Sequence, residues 1–487
     1  MSAPKVVLNQ LDGGLGVAVA SGETLAIVGP APSGPTNPKL YYKTSDATTD
    51  FTRGSVLELA AYLFERVGSP LILQRIATTA VGTANTIDKT GVTGTATPTV
   101  DALSVPTDDY DPYVQVSVGG AVGTAGIMYY WSPTGGRDLI GPVALGTAVA
   151  ITLPIGDVFK FDLTAAQTLV SGDYFQAPAN GPTPTVAELN TALALLGANK
   201  QWTVAVFTFP LTSAHIVAID AWLVALAAKQ RNKWAIGNFR RPTPGETEAA
   251  YLTAYSTAIA GTNSLYCGIS YGVGVCQSSI SRYNYARPAS WAAAFKVATT
   301  NISDDLAVIG ANLQIPGWKL RDANGTPYAG FHDEYESPGA DDLRAITLRS
   351  VEGYDGVFVT NGNLLAPAGS DFSLCQYRRI MNRMSDVLYK ELVTRLSVKL
   401  KPDPKTGFID PGVAQNIDDD INAVMGAELV DPGHVASVAF QLSRTDNYLS
   451  TKTITFQYRC VPPGYPKVFT GTMAFNNPAA RATVQGS

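Results

Sequence analysis

One stretch of this sequence has the residue spacing of a catalytic nucleophile. Gly268, Ser270 and Gly272 match the Gly-x-Ser-x-Gly elbow of serine hydrolases, with His332 or His434 downstream as a candidate base. The elbow must open a helix so that the serine hydroxyl is presented to substrate, but the next residues read Val-Gly-Val and favour an extended chain. Neither histidine has a recognisable catalytic context. We therefore predict that Ser270 carries no chemistry and that the chain is not an enzyme.

Three further stretches have the outline of a ligand site. Residues 29–36 resemble a phosphate-binding loop, but Pro35 stands where the lysine is needed and three prolines remove N–H donors. Residues 332–336 contain one His, one Asp and two Glu but no second ligand pair at helical spacing. Residues 108–111 are acidic but lack the glycine and distal glutamate of a calcium loop. The sequence predicts no catalytic, cofactor-binding or metal-binding residue.

The composition is typical of a large subunit that covers much of its surface in an assembly. Of the 487 residues, 46% are hydrophobic and only 15% are charged, which favours large interfaces. The net charge of −5 and the lack of a basic run argue against nucleic-acid binding. No apolar stretch reaches the ~20 residues of a membrane span, and the first residues lack the apolar core of a signal peptide. We expect assembly in a cytoplasm, with the cysteines reduced.

The last quarter of the chain has the pattern of two helices and a small sheet. Residues 377–400 repeat apolar side chains every 3.6 positions, and Asp410 followed by Pro411 predicts the start of a second helix that ends at Gly426. Residues 435–442 are predicted to pair with an alternating strand at 454–460, in which Ile454, Phe456 and Tyr458 share one face.

A further strand follows with no visible partner. Residues 468–475 alternate again, with Phe469, Met473 and Phe475 on one side, and residues 5–11 form a short extended run near the other end. The apolar residues of that run are Val6, Val7, Leu8 and Leu11. Because an isolated strand cannot satisfy its own backbone groups, two such strands suggest exchange between identical subunits by addition to a sheet edge. The alternative is that both termini fold back on their own domain.

The middle of the chain changes character twice. Between residues 77 and 180, short strand patterns alternate with Gly and Pro turns, and nine Asp stand against three Lys and Arg. We expect this acidic segment to lie on the outside of an assembly. Helix and strand patterns alternate after it, which indicates an α/β core with a partly parallel sheet.

The predicted fold class is therefore an α/β and α+β multidomain protein. It has a split α/β core, an inserted β-rich domain, and a C-terminal two-helix plus small-sheet domain with extended terminal arms. The expected division is an N-terminal arm at 1–24, the core at 25–76 and 181–365, the outer insert at 77–180, the C-terminal domain at 366–466, and a strand and tail at 467–487.

Both ends of the chain resemble contractile tail sheath proteins. The similarity is carried by the strand 356–359, the run Asp-Phe-Ser-Leu-Cys-Gln-Tyr-Arg-Arg at 371–379, the strand 25–29, the segment 51–67 and the strand 71–75. Many members carry a Trp-Gly-x-Arg-Thr run where this chain has Asn-Gly-Asn-Leu-Leu at 361–365. The chain is thus identified as a divergent member.

The resemblance implies a structural subunit of a contractile bacteriophage tail sheath. Such a subunit polymerises in stacked helical rings around the tail tube, and contraction drives the tube through the host envelope. The implied partners are the chain itself, the tail tube protein, and baseplate and tail terminator proteins. We expect no cofactor, no nucleic acid and no membrane insertion, and a location in the virion tail.

The expected tube-facing residues are Arg378, Arg379 and Arg383, on the cationic face of the first C-terminal helix. An ordinary solvated helix face is the alternative for these arginines. For the whole chain, the alternatives are the sheath of a bacteriocin or other contractile injection system, a serine hydrolase that uses Ser270, and a baseplate, capsid or adhesin protein.

Overall fold

The structure is a computed structural model that describes residues 23–155, 159–310 and 312–467. Its first segment contains strands and helices in alternation, as the apolar runs predict. They are β1 (Leu25–Pro30), β2 (Lys39–Tyr41), α1 (Thr44–Asp50), α2 (Ser55–Arg66) and β3 (Leu71–Ile76).

The insert (residues 77–180) consists of short strands, with no helix in its described part. The strands are β4 (Thr83–Ala84), β5 (Thr99–Val100), β6 (Tyr113–Val118), β7 (Gly120–Ala121), β8 (Met128–Ser132), β9 (Ile140–Ala144), β10 (Ala150–Leu153), β11 (Phe159–Asp162), β12 (Thr168–Leu169), β13 (Tyr174–Gln176) and β14 (Ala179–Asn180). They pair antiparallel in small sheets, the largest with the order β13-β6-β8-β9. Alternate residues of β6 are buried, which is the pattern expected of a strand with one wet face.

Helices return after the insert. Thr185 opens the first of them with a capping box to Glu188. The elements are α3 (Val186–Ala198), β15 (Val204–Pro210), α4 (Ser213–Ala227), β16 (Trp234–Asn238), α5 (Glu248–Ile259), β17 (Cys267–Ser270), β18 (Val273–Gln277), β19 (Asn284–Pro288), α6 (Ala289–Thr299), β20 (Trp318–Lys319), β21 (Ala345–Ile346), β22 (Leu348–Val351) and β23 (Tyr354–Val359).

A seven-stranded sheet with the order β2-β3-β1-β15-β16-β17-β21 forms the centre of the described molecule. Its pairs are parallel except β2 with β3, so the predicted partly parallel sheet is confirmed. Helices cover both faces of the sheet, so the residues that point alternately to its two sides are buried on each. Leu25 and Ile27 pack with α2 and α6, whereas Ala26 and Val28 pack with α3, α4 and α5. Three strands of this sheet (β1, β2 and β3) precede the insert and four follow it, so the sheet is assembled from both sides of the insert.

The C-terminal unit (residues 375–461) has its own core. Its elements are α7 (Cys375–Thr394), α8 (Pro411–Met425), a π-helical turn (Gly426–Val430), β24 (Ser437–Leu442), α9 (Tyr448–Thr451) and β25 (Phe456–Val461). Apolar side chains from α7, α8 and β24 pack together, among them Ile380, Met384, Ile421 and Phe440.

The structure confirms some predicted boundaries of this unit and corrects others. Asp410 caps α8, and its side chain accepts hydrogen bonds from the N–H groups of Gly412 and Val413. The helix predicted to reach residue 400 ends at Thr394, and Ser397 beyond it has a φ of +61° that a continuing helix does not allow. Ile454 precedes β25 and is not part of it. The exact division into domains stays a prediction.

Candidate subunit interface

The hairpin of β24 and β25 has two edges that differ in their hydrogen bonding. The strands pair antiparallel from Ser437 opposite Val461 to Leu442 opposite Phe456. The Ala436 N–H donates to the Val461 carbonyl oxygen at 2.8 Å, and the Ser443 N–H donates to the Thr455 oxygen at 2.8 Å. Antiparallel pairing alternates along a strand, so every second residue of β25 points its backbone polar groups away from β24.

The outer edge of β24 is occupied by side chains of α8. The Phe440 N–H donates to Asn422 Oδ1 at 2.7 Å, and Asn422 Nδ2 donates to the Phe440 oxygen at 3.0 Å. The Leu442 N–H donates to Asp418 Oδ1 at 2.9 Å. Two polar side chains one helical turn apart thus replace a neighbouring strand on this side. This role was not predicted from the sequence, although Asp418 and Asn422 stand four positions apart beside buried apolar residues of α8.

The outer edge of β25, here called the open edge, has no neighbouring strand among the described residues. By the alternation, the N–H groups of Phe456, Tyr458 and Cys460 face it. The side chains of these three residues form a row: those of Tyr458 and Cys460 are half-buried against the apolar cluster of the C-terminal unit, and that of Phe456 is 39% exposed. The predicted buried face of this strand is therefore only partly buried in the described chain.

An open groove of about 720 Å³ continues from this row. Apolar side chains from the end of α7, the segment after it, the middle of α8, α9, the residues before β25 and the hairpin line it: Leu392, Leu396, Leu400, Ile417, Leu442, Tyr448, Leu449, Ile454 and Phe456. Leu396 is 70% exposed, and Leu449 and Val398 are exposed as well. Exposed apolar side chains gathered beside an unpaired strand edge are a feature of protein interfaces.

The predicted cationic face of α7 is wrong for two of its three arginines. Arg378 is buried between the rings of Tyr266 and Phe372, and its Nε donates to the Leu265 oxygen at 3.0 Å. Arg379 is buried and its Nε donates to Glu23 at 2.7 Å. Both side chains attach the C-terminal unit to the core, so neither can face a tube. Arg383 is 44% exposed and pairs with Glu428.

The acidic turn at 108–111 joins the insert to the core. Asp108 pairs with Arg287 at 2.9 Å, and Asp111 pairs with Arg241 at 2.5 Å and with Arg137 at 2.9 Å. Burial raises the pKa of Asp108 to about 6, against the opposing effect of Arg287. Burial also disfavours ionisation of Asp111, but the two guanidinium groups outweigh it and hold its pKa below its ordinary value. The turn is a buried ionic contact and not a cation site.

The hydrolase motif does not form a nucleophile elbow. Ser270 is 1% exposed at the end of β17, Gly272 has a φ of +84°, and the chain then enters β18 instead of a helix. His332 is buried and bridges two carboxylates, with Nδ1 2.7 Å from Glu248 and Nε2 2.8 Å from Glu334. Both ring nitrogens of His332 are therefore engaged by carboxylates.

His434 lies elsewhere, beside Ser303 in the C-terminal unit's contact with the core. The part of the chain that the structure describes has no group of three or more His, Cys, Asp or Glu residues placed to hold a metal. Within the same ranges, no helix is long and apolar enough to cross a membrane.

The predicted exchanged strands lie outside the described residues. Val6, Val7, Leu8 and Leu11 belong to the first, and Phe469, Met473 and Phe475 to the second. Of the predicted interface residues, the structure brings together Ile454, Phe456 and Tyr458 at the open edge and the groove.

Comparison with solved structures identifies the fold. The PVC sheath complex of an extracellular contractile injection system, in its contracted state, matches with a TM-score of 0.53 and 10% identity, over 98% of this chain and 99% of that chain. The sheath tail protein of Desulfitobacterium hafniense matches with a TM-score of 0.46 and 11% identity, over 94% and 100%. That of Listeria innocua has a TM-score of 0.42 and 11% identity, over 90% and 95%. The expected resemblance to contractile sheath proteins is confirmed at the level of the fold.

No curated protein matches the sequence. A family described as DUF2586, N-terminal domain, matches residues 3–363, which include the central sheet and the insert. Since this match covers well over half of the 487 residues, the chain belongs to the DUF2586 family.

Proposed function

We propose that this chain is a structural subunit of a contractile sheath, which polymerises helically around an inner tube. The observation that carries the proposal is the match of nearly the whole chain to a sheath subunit. The half-exposed apolar row at the open edge supports it, because a subunit of a polymer needs surfaces that only a neighbour covers.

Neighbouring subunits are joined by strand exchange in this proposal. Residues 5–11 and 468–475 add to the open edges of other copies, where the N–H groups of Phe456, Tyr458 and Cys460 are available. Each added strand of ~6 residues makes several backbone hydrogen bonds worth on the order of 1 kcal/mol net. It also covers the half-exposed row of β25. These exchanged strands keep neighbouring subunits connected while their core units move relative to one another.

Contraction then needs no nucleotide. An extended lattice that is metastable repacks by rigid-body movement of its subunits into an arrangement of lower free energy, and this drives the tube through an envelope. The tube protein, a baseplate and a tail terminator are the proposed partners. Of the three predicted tube-facing arginines, Arg383 keeps this role in the proposal because its side chain is exposed.

A bacteriophage tail in the virion, assembled in the host cytoplasm, is the proposed setting. The sheath of a bacteriocin or another contractile injection system is the second candidate, since the matched sheath comes from an extracellular injection system. A search for tube, baseplate and capsid genes beside the gene of this chain distinguishes the two: capsid genes support the phage tail, and their lack in a complete cluster contradicts it.

The purified chain tests the proposal directly. We expect hollow tubes of uniform width in negative-stain images, whereas monodisperse particles under all assembly conditions would contradict a sheath. Deletion of residues 1–11 or 468–487 should abolish tubes and leave a folded monomer, because α7, α8 and the hairpin remain. A truncated monomer that loses its thermal transition would instead indicate that the termini fold back on their own chain.

The hydrolase alternative has its own test. Ser270→Ala should leave assembly unchanged, because Ser270 is buried and has no helix behind it. Any ester hydrolysis by the wild-type chain that this substitution removes, with the fold intact, would support the alternative.

A further inference from the structure

The strap (residues 462–467) carries the chain from β25 onto the core. The Tyr465 ring contacts the Tyr377 ring of α7 at a tilt of 51°, with centroids 5.5 Å apart, and the Tyr465 hydroxyl donates to the Ser303 carbonyl oxygen. Lys467 Nζ pairs with Asp305, whose side chain is 8% exposed, and donates to Asn361 Oδ1 at 2.7 Å. The last described residue is thus held by the core and not by the hairpin that precedes it.

The core loop that receives the strap also receives the rest of the C-terminal unit. Arg379 Nη2 donates to the Thr300 oxygen at 2.9 Å, and His434 Nδ1 lies 3.2 Å from Ser303 Oγ. One short loop, residues 300–305, therefore contacts α7, the turn before β24 and the strap. This makes it a fixed base for the strap.

The sequence of the strap opposes a turn back onto β25. Pro462, Pro463 and Pro466 have no N–H to donate, so this segment cannot continue the ladder of the hairpin. For residues 468–475 to pair with their own β25, the chain would have to reverse within these six positions. The contacts of Tyr465 and Lys467 direct it to the core instead.

We propose that the strap keeps the C-terminal arm (residues 468–475) away from the hairpin of its own chain. The open edge is thereby reserved for the arm of a second copy of this chain. The inference rests on the proposed strand exchange and names the element that makes the exchange intermolecular. An arm released from the strap competes for its own open edge at the high local concentration of a short tether. An open edge that is paired with the arm of its own chain cannot bind the arm of a neighbour. The strap therefore favours pairing between subunits over pairing within one subunit.

The test combines two substitutions that release the strap, Tyr465→Ala and Lys467→Glu. We expect this variant to form far fewer tubes than the wild type, and the amides of Phe456, Tyr458 and Cys460 to become protected from hydrogen exchange in the unassembled protein. Lys405→Glu is the matched control, because it reverses an exposed lysine of the same unit. The exchange Asp305→Lys with Lys467→Glu restores an ion pair at the strap and should recover part of the tube formation.

The outcomes separate this inference from the proposed function. If deletion of residues 468–487 abolishes tubes but the released strap assembles like the wild type, the inference is wrong and strand exchange stands. If the deletion also assembles normally, both are wrong. Loss of tubes without new protection at β25 would show that the strap only seats the C-terminal unit, which contradicts the role proposed here. Far-ultraviolet circular dichroism and a thermal melt establish that each variant is folded.

Discussion

Burial distinguishes two arginines that lie one helical turn apart in the sequence. Arg379 and Arg383 stand one turn apart on α7, and each makes an ion pair. The Arg379 side chain is 0% exposed and also donates to carbonyl oxygens of the core, whereas Arg383 and its partner Glu428 are both about half exposed. A buried charge that loses its partner is far more costly than a solvated one.

Arg379→Ala should therefore destabilise the chain strongly, by about 3–5 kcal/mol, because it leaves Glu23 buried without its closest cation. Arg383→Ala is the matched control and should cost within about 1 kcal/mol. Denaturant unfolding of the unassembled chain, monitored by circular dichroism, measures both. Equal losses for the two variants would contradict the assignment of Arg379 to the contact between the C-terminal unit and the core.

His332 introduces a second residue-scale effect, which depends on pH. Burial alone would lower its pKa, but the carboxylates of Glu248 and Glu334 outweigh burial and raise it to about 9. The folded pKa lies above the ordinary value of 6.5, so the stabilisation is complete below pH 6.5 and is lost as the pH rises through about 9.

We expect the melting temperature to fall between pH 6.5 and pH 9 in the wild type and to stay nearly flat in His332→Asn over the same range. His215→Asn provides the control. Burial lowers the pKa of His215, so this residue is already neutral there and its variant should keep the wild-type decline. An unchanged alkaline decline in His332→Asn would show that another group is responsible.

At the element scale, the hairpin of β24 and β25 is closed on one side and open on the other. Asn422 and Asp418 of α8 take the backbone groups of β24, while those of Phe456, Tyr458 and Cys460 point to the open edge. Alternate residues of β25 thus direct their backbone groups to two different ladders of hydrogen bonds. One ladder is formed with β24, and the other is the proposed ladder with a neighbouring chain.

Proline substitutions at adjacent positions distinguish the two ladders. Cys460→Pro removes an N–H at the open edge, so we expect loss of tubes with a modest change in the monomer's melting temperature. Arg459→Pro removes an N–H that faces β24 and should lower the melting temperature of the monomer clearly. Proline at Val7 or Thr470 should act like Cys460→Pro if that N–H faces the partner strand. Normal tubes from Cys460→Pro would contradict strand addition at this edge.

At the scale of the whole molecule, the insert is joined to the core by charges and not only by its two connections. Asp108 and Asp111 pair with Arg287 and Arg241, and Arg287 is almost completely buried. Tyr285 of β19 also packs into the apolar core of the insert. The insert is therefore part of the packed molecule, although its outer position in an assembly remains a prediction.

Excision of residues 81–177 with a short Gly/Ser linker should still permit polymerisation if the insert lies outside the lattice. The excision alone removes Asp111 and Asp108, the ion-pair partners of Arg241 and Arg287, so we expect the melting temperature to fall and to recover in part with Arg241→Met and Arg287→Met. Melting temperature and tube formation are measured on both forms. A folded excision variant that forms no tubes would show that the insert makes lattice contacts.

The elements of this fold depend largely on local sequence. The apolar period of α7, the Asp410 cap of α8 and the apolar runs of β1, β3 and β15 each identify their element, because these signals lie within one stretch of chain. The resemblance at both ends led to the sheath fold for the same reason: it is a pattern of elements in order. The end of α7 was placed too late, since apolar residues continue past the point where the backbone leaves the helix.

Side-chain roles at the candidate site depend on contacts between distant positions. Local sequence patterns alone predicted α7, α8, the hairpin strands and the strands of the central sheet, with errors at some of their ends. Only the tertiary structure decided that Arg378 and Arg379 are buried, that Asn422 closes one edge of the hairpin, and that the strap ends on Asp305. The physical reason is that periodicity follows from backbone geometry, whereas burial and pairing follow from which distant surfaces meet.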